Sequence, residues 1–455
     1  MIDIFSLTAN KLVEKLKEGE ISSVEVCTQY IDRIKKFEKD VKAWAHFDKK
    51  ELLEKAEEAD EYRKSGKPLG SLHGLPVAVK DIIGTLDMPT ECGTVIRKKM
   101  TGSQEAEVVN LLKIAGAIVM GKTETTELAY FYPGKTTNPH DYSRTPGGSS
   151  SGSAAAVASH MAPLSIGSQT NGSVIRPASY CGVVGYKPSY GLISRSGVLK
   201  QSDKLDHIGV FGKSVEDVAL LTKVLIKKDQ HDFSTIHYSA DEMLKVCKKG
   251  PPYEPKFIFY KTKSWKKIDK ESQKSFELFI EAFEKNIELF DTPSYFDEIP
   301  KYHKVIHETD MANNFQVYYK KSKKKLSKEM ISAIERGMKY SAKEYAEAID
   351  FMKQSYKSYQ EVFEDYHGVL TPCTTGVADK GLKSTGSPEF CTVWTYMGLP
   401  SISLPLLSGS NNLPLGIQLI GDRLDDLRFL GVANWLEKNC KKSVSYTHLT
   451  LPTTG

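Results

Sequence analysis

Along the first 60 residues the apolar positions recur at helical intervals. Leu12, Val13 and Leu16, then Val24, Val26, Tyr30, Ile31 and Ile34, are separated by lysines and glutamates. This predicts half-buried surface helices over 7–60. The texture changes from Pro68. Leu75-Pro76-Val77-Ala78-Val79 is a short apolar run between Gly74 and Lys80-Asp81, the pattern of a strand buried on both faces. Glu105 to Ala115 is amphipathic, Gly116 is placed to end a helix, and Ala117 to Met120 is a second buried run. Strand, helix and strand in that rhythm predict an α/β sheet with parallel pairs.

Further on, a glycine- and serine-dense stretch, Gly147 to Ser153, leads into a helix-forming run from Ala154 to His160. Leu164 to Gly167 predicts a strand, and Thr170-Asn171-Gly172-Ser173 has loop chemistry. Ser214-Val-Glu-Asp217 has the form of an N-cap opening a helix over 218–225. Residues 227–365 are lysine-rich and predicted helical, and they carry no recognisable chemistry. Within them, Lys320 to Lys325 reads as a solvated face rather than a binding patch. From Tyr366, glycine, proline and short apolar runs such as Gly416 to Gly421 return. The expected organisation is therefore one domain over 1–443. It has a helical start (1–65), a core (66–226 and 366–443) and a helical insertion or cap (227–365).

Composition narrows the function classes. Among 455 residues, 62 basic and 57 acidic side chains leave a net charge of only +5, which gives no ground for nucleic-acid binding. No apolar run approaches a membrane span and no signal peptide is evident, so a cytoplasmic location is expected. The seven cysteines are scattered and form no C-x-x-C pair, which argues against a zinc site or a disulfide framework. Residues 444–455 (Val444-Ser-Tyr-Thr-His-Leu-Thr-Leu-Pro-Thr453 and the two that follow) resemble a translated sequencing adapter. They are expected to be an artefact that displaces the native C-terminus.

Three readings of Gly147 to Ser153 can be weighed. A linker would not sit between two α/β stretches with a helix directly after it. A phosphate loop requires a G-K-[ST] ending that is absent. A nucleophile elbow fits G-x-S-x-G with Ser150 at its centre, but it requires a preceding strand, whereas Asp141 to Pro146 is polar and ends in proline. Lys80, at the end of an apolar strand, is placed to be a buried amine with a lowered pKa. A snorkelling or ion-paired lysine is the ordinary alternative.

Gly147-Gly-Ser-Ser-Ser-Gly-Ser-Ala-Ala-Ala156, Gly167-Ser-Gln-Thr-Asn-Gly-Ser-Val-Ile-Arg-Pro-Ala-Ser-Tyr-Cys-Gly182 and Gly74-Leu-Pro-Val-Ala-Val-Lys-Asp81 together resemble the amidase signature family. So do Gly121-Lys-Thr-Glu-Thr-Thr-Glu127, Asn138-Pro139, Gly209-Val-Phe211 and Gly398-Leu-Pro400. The resemblance covers most of 5–225 and 366–435. It implies a large mixed β-sheet flanked by helices and a Ser–cisSer–Lys unit that needs neither metal nor cofactor. The family's lysine falls on Lys80, its cis-peptide serine on Ser149 and its acylated serine on Ser173. The oxyanion donors fall on the backbone N–H groups of Thr170, Asn171, Gly172 and Ser173. Two positions depart from the common pattern: Asn171 where glycine is usual, to be accommodated by asparagine's tolerance of positive φ, and Gln169 where aspartate is common.

The resemblance implies an amidase that converts a small-molecule amide to a carboxylate and ammonia or an amine. A homodimer is the assembly it implies, without a nucleic-acid or membrane partner. The alternatives are the glutamine-hydrolysing component of a tRNA-dependent amidotransferase (its A subunit), an allophanate hydrolase, and a non-catalytic binding module on the same scaffold.

Overall fold

The computed structural model describes residues 3–444, with side chains to 440. Apart from Val444, the adapter-like segment lies outside the described residues.

Among the described residues, eleven strands form one mixed sheet. They are β1 (Trp44–His46), β2 (Pro76–Lys80), β3 (Ile118–Thr123), β4 (Leu164–Gln169), β5 (Val184–Lys187), β6 (His207–Gly212), β7 (Phe257–Tyr260), β8 (Ile287–Phe290), β9 (Gly368–Pro372), β10 (Ser401–Ser408) and β11 (Pro414–Ile420). Their order across the sheet is β1-β3-β2-β4-β6-β5-β10-β11-β9-β7-β8. β2 lies parallel to both β3 and β4, whereas β4/β6 and β10/β11 are antiparallel. Every residue of β2, β3 and β4 is buried; β2 and β3 open on apolar runs and end in polar residues, and β4 alternates apolar with small or polar ones.

The N-terminal helices are α1 (Ala9–Glu18), α2 (Ser23–Val41) and α3 (Lys49–Lys64). A capping box between Ser22 and Glu25 starts α2. The three-residue β1 interrupts the expected helical stretch. α4 (Glu107–Ile114) ends ahead of Gly116, whose φ of 79° reverses the chain into β3. α5 (Ser151–Ala158), α6 (Ile175–Cys181) and α7 (Val215–Leu225) follow, and Ser214 Oγ accepts from Asp217 N at the start of α7. The C-terminal helix Asp426–Val444 closes the described chain.

Residues 227–365 are not wholly helical. β7 and β8 lie within them and extend the sheet beyond β9 in parallel pairing. β7 is a four-residue apolar run between lysines, and three of the four β8 residues are exposed. Neither therefore carries the long apolar run of a central strand. Among the longer helices of this segment, Ile299–Asn314 packs against Lys328–Gly337 and Ala342–Tyr359. All seven cysteines are buried. Among the described residues no helix is long and apolar enough to cross a membrane, and no cluster of side chains could hold a metal ion.

Candidate active site

β2 ends on Lys80, which is fully buried. The parallel register pairs Val79 with Ile166, which brings the last residues of β2 and β4 side by side. Lys80 Nζ lies 2.7 Å from Ser149 Oγ and 2.9 Å from Ser168 Oγ. The adjacent carboxylate, Asp81, is engaged elsewhere: Lys122 Nζ is 3.5 Å away and Glu91 N donates to both carboxylate oxygens. Lys80 is thus a buried amine among hydroxyls, with no carboxylate in ion-pair range among the described residues. Burial pushes it down to about 7, opposed by the charge of Asp206.

The glycine/serine segment is laced to β4. Ser150 Oγ donates to Ser168 O at 3.1 Å and accepts from Ser168 N at 3.2 Å. Ser153 Oγ donates to Ile166 O at 3.1 Å and bonds Thr123 Oγ1 at 2.7 Å. Glycine is required at position 152, where a Cβ would lie 2.2 Å from Ala43 O and 2.4 Å from Glu124 N. The Gly148–Ser149 peptide is cis. Ser150, the centre of the G-x-S-x-G match, is fully buried and committed to backbone, so it is not available to a substrate.

Ser173 follows β4 in the turn before α6. Ser150 N donates to Ser173 O at 3.4 Å, which sets the two serine-bearing segments against each other. The residue is 9 % exposed, and its hydroxyl has no hydrogen-bond partner among the described residues. Ahead of it, the N–H groups of Thr170, Asn171, Gly172 and Ser173 make no hydrogen bond among the described residues. The next two, of Val174 and Ile175, both donate to Gln169 Oε1, at 2.8 and 3.0 Å. Four consecutive free donors beside an open hydroxyl can stabilise an anionic oxygen.

Gln169 also donates through Nε2 to Thr395 Oγ1 at 2.9 Å, a bond an aspartate could not make. Asn171 does not adopt positive φ. It is accommodated instead by the bond from Thr392 Oγ1 to its Oδ1 at 2.8 Å, which corrects the expectation of a left-handed residue there.

Several residues at the site were not visible in the sequence. Ser168 is the second acceptor for Lys80, yet it reads as an ordinary strand residue. Asp206 accepts from Thr170 Oγ1 and from the N–H groups of Gln201 and Ser202, and burial pushes its carboxyl up to about 6. Arg176 donates to Gly148 O at 2.6 Å and to Thr385 Oγ1 at 3.3 Å, and its remaining guanidinium nitrogens, Nε and Nη1, are buried without partners. A cavity of about 320 Å³ opens beside Ser168 and Thr170, walled by Ile82, Ala129 and Val198.

A buried lysine–serine pair next to an open serine and a donor-rich turn is the equipment of hydrolases that cleave amide C–N bonds. Residues 25–430 match the Amidase family model, and the chain belongs to the amidase family. It is 30 % identical, over 96 % of both chains, to the A subunit of the glutamyl-tRNA(Gln) amidotransferase of Natranaerobius thermophilus. Among solved structures it is similar to the corresponding protein from Thermotoga maritima, at 29 % identity over 100 % of this chain and 99 % of that one, with a TM-score of 0.81. An amidase structure superposes at a TM-score of 0.82, with 25 % identity over 95 % of this chain and 100 % of that one.

Proposed function

We propose that the chain hydrolyses a carboxylic acid amide through an acyl-enzyme on Ser173, with Ser149 as relay and Lys80 as base. The observation that carries this reading is Lys80: a fully buried amine 2.7 Å from Ser149 Oγ, neutral above a pH of about 7. Neutral Lys80 takes the proton of Ser149, which takes the proton of Ser173. Ser173 Oγ then bonds to the amide carbon, and the carbonyl oxygen gains the negative charge. The N–H groups of residues 170–173 receive that oxygen. As it collapses, the C–N bond breaks and the relay returns a proton to the departing nitrogen, which leaves as ammonia or an amine. Water attacks the ester carbon as the same relay takes its proton; the acyl C–O bond to Ser173 then breaks, the relay returns the proton to Ser173 Oγ, and the carboxylic acid leaves and ionises.

A second reading makes the chain the glutamine-hydrolysing component of a tRNA-dependent amidotransferase. The curated relatives favour it: proteins of that name match at 30–32 % identity over nearly their whole length. The two readings share Ser173 chemistry and differ in substrate and partners. Ammonia release by the purified chain from aliphatic, aromatic and amino-acid amides, glutamine included, separates them. A stand-alone amidase turns over simple amides unaided. An amidotransferase component uses glutamine and gains activity with its partner subunits. Absence of turnover of any amide, with or without partners, refutes both.

A further inference from the structure

The turn ahead of Ser173 is held from outside by side chains belonging neither to the glycine/serine segment nor to β2. The helix Ile299–Asn314 directs four polar residues along one side, at positions 303, 307, 310 and 314. His303 Nε2 bonds Thr170 O at 3.0 Å, and His307 Nε2 bonds Gln201 Oε1 at 2.7 Å. Asp310 accepts from Ser202 Oγ, and Asn314 Nδ2 donates to Gln201 O at 3.0 Å. Asp206 closes the circuit by holding Gln201 N, Ser202 N and Thr170 Oγ1 together. From the opposite side, Thr395 Oγ1 donates to Asn171 O at 2.6 Å.

A carbonyl oxygen can only accept, so His303 carries its proton on Nε2. Burial pushes its imidazolium down to about 4, which keeps the ring neutral over the working range of the site. The geometry of the peptide unit then does the rest. In a planar trans peptide, the C=O of one residue and the N–H of the next point in opposite directions. Tying Thr170 C=O to His303 therefore aims Asn171 N–H the other way. Tying Asn171 C=O to Thr395 aims Gly172 N–H in the same manner. These are two of the four free donors ahead of the Ser173 hydroxyl.

We propose that His303 and Thr395 are positioning residues that aim the Asn171 and Gly172 N–H groups at the oxyanion formed on Ser173. His303 comes from the lysine-rich middle segment, so that segment contributes to the chemistry and not only to the outer wall. The inference rests on the acyl-enzyme reading above. It predicts that losing either clamp slows bond formation at Ser173 without altering the base.

The test is the rate at which a fluorophosphonate probe labels Ser173 in the purified chain, since phosphonylation places a P–O oxygen where the oxyanion would sit. His303→Leu and Thr395→Val are each expected to slow the bond-forming step on the order of 10- to 100-fold, less than outright loss of a donor can cost. Probe affinity and the pH midpoint of labelling should not move. His303→Gln, whose side-chain amide offers a donor at similar reach, should restore the rate to within about threefold of the parent. A merely structural role would lower Tm or the folded fraction, while folded molecules would label at the parental rate. Folded His303→Leu labelling within about twofold of the parent, or His303→Gln no better than His303→Leu, overturns the proposal. If His303→Leu does not fold, the Thr395→Val rate decides in the same way: folded Thr395→Val labelling within about twofold of the parent overturns the proposal. An unlabelled parent protein instead overturns the acyl-enzyme reading itself.

Discussion

The core (66–226 and 366–443) and the middle segment (227–365) both reach the candidate site, but by different means. The core supplies every side chain that would touch reacting atoms: Lys80, Ser149 and Ser173, with Ser168 beside the amine. Lys80 and Ser168 stand on strands buried along their whole length, and Ser149 and Ser173 on the turns that lead into α5 and α6. The middle segment reaches the site through side chains of one helix, His303 foremost. Its own strands sit at the sheet's margin, and β8 is largely exposed. The difference teaches that a lysine proposed as base would need the dry, fixed interior of the sheet to lose its proton near pH 7. Orienting a backbone loop requires only one donor on a rigid helix.

The largest effect that can test this division is at the nucleophile. Ser173→Ala should lower amide turnover on the order of 10⁴-fold or more with an unchanged circular dichroism spectrum, because the hydroxyl has no hydrogen-bond partner among the described residues. Near-parental turnover would move the chemistry elsewhere. Lys80→Met keeps length and burial and removes the base, so single-turnover rates should fall by about 10²- to 10⁴-fold. In the parent, those rates should rise as pH increases through about 7, because the amine accepts a proton only after losing its own. A profile flat across that interval, with chemistry limiting, would contradict a lysine base. Ser168→Ala removes one of the two hydroxyls that hold the amine and should cost about tenfold, read as a lower kcat at an unchanged KM. At the small end, Lys324→Ala on the exposed lysine run should change kcat/KM by less than about twofold. A larger loss there would mean the middle segment's charge takes part in binding substrate or a partner.

Legibility in the sequence follows the same division. β2 and β3 were readable because each opens on a short apolar run, as a strand covered on both faces tends to, and β4 because Leu164 and Ile166 stand just after the helix-forming run. β7 was missed because four apolar residues between lysines do not distinguish a strand from a helix turn. β1 has only three residues. Lys80, Ser149 and Ser173 were reached through motifs in the core, where chemistry and packing constrain the same stretch. Ser168 escaped notice because a serine in a buried strand has no period or spacing of its own. His303 escaped because its partner, Thr170, lies 133 residues away and nothing local marks the bond. The Gln169 and Asn171 departures became intelligible only when Thr392 and Thr395 were seen across the loop, bonded to the side chains that the usual residues lack.

The central claim, that Ser173 is the nucleophile activated through Ser149 by Lys80, is tested most directly by peptide mapping after reaction with a fluorophosphonate. The account predicts a single adduct on Ser173, absent in Ser173→Ala and forming much more slowly in Lys80→Met. An adduct on Ser149 or Ser150 in place of Ser173, or undiminished labelling of Ser173 in Lys80→Met, would contradict it.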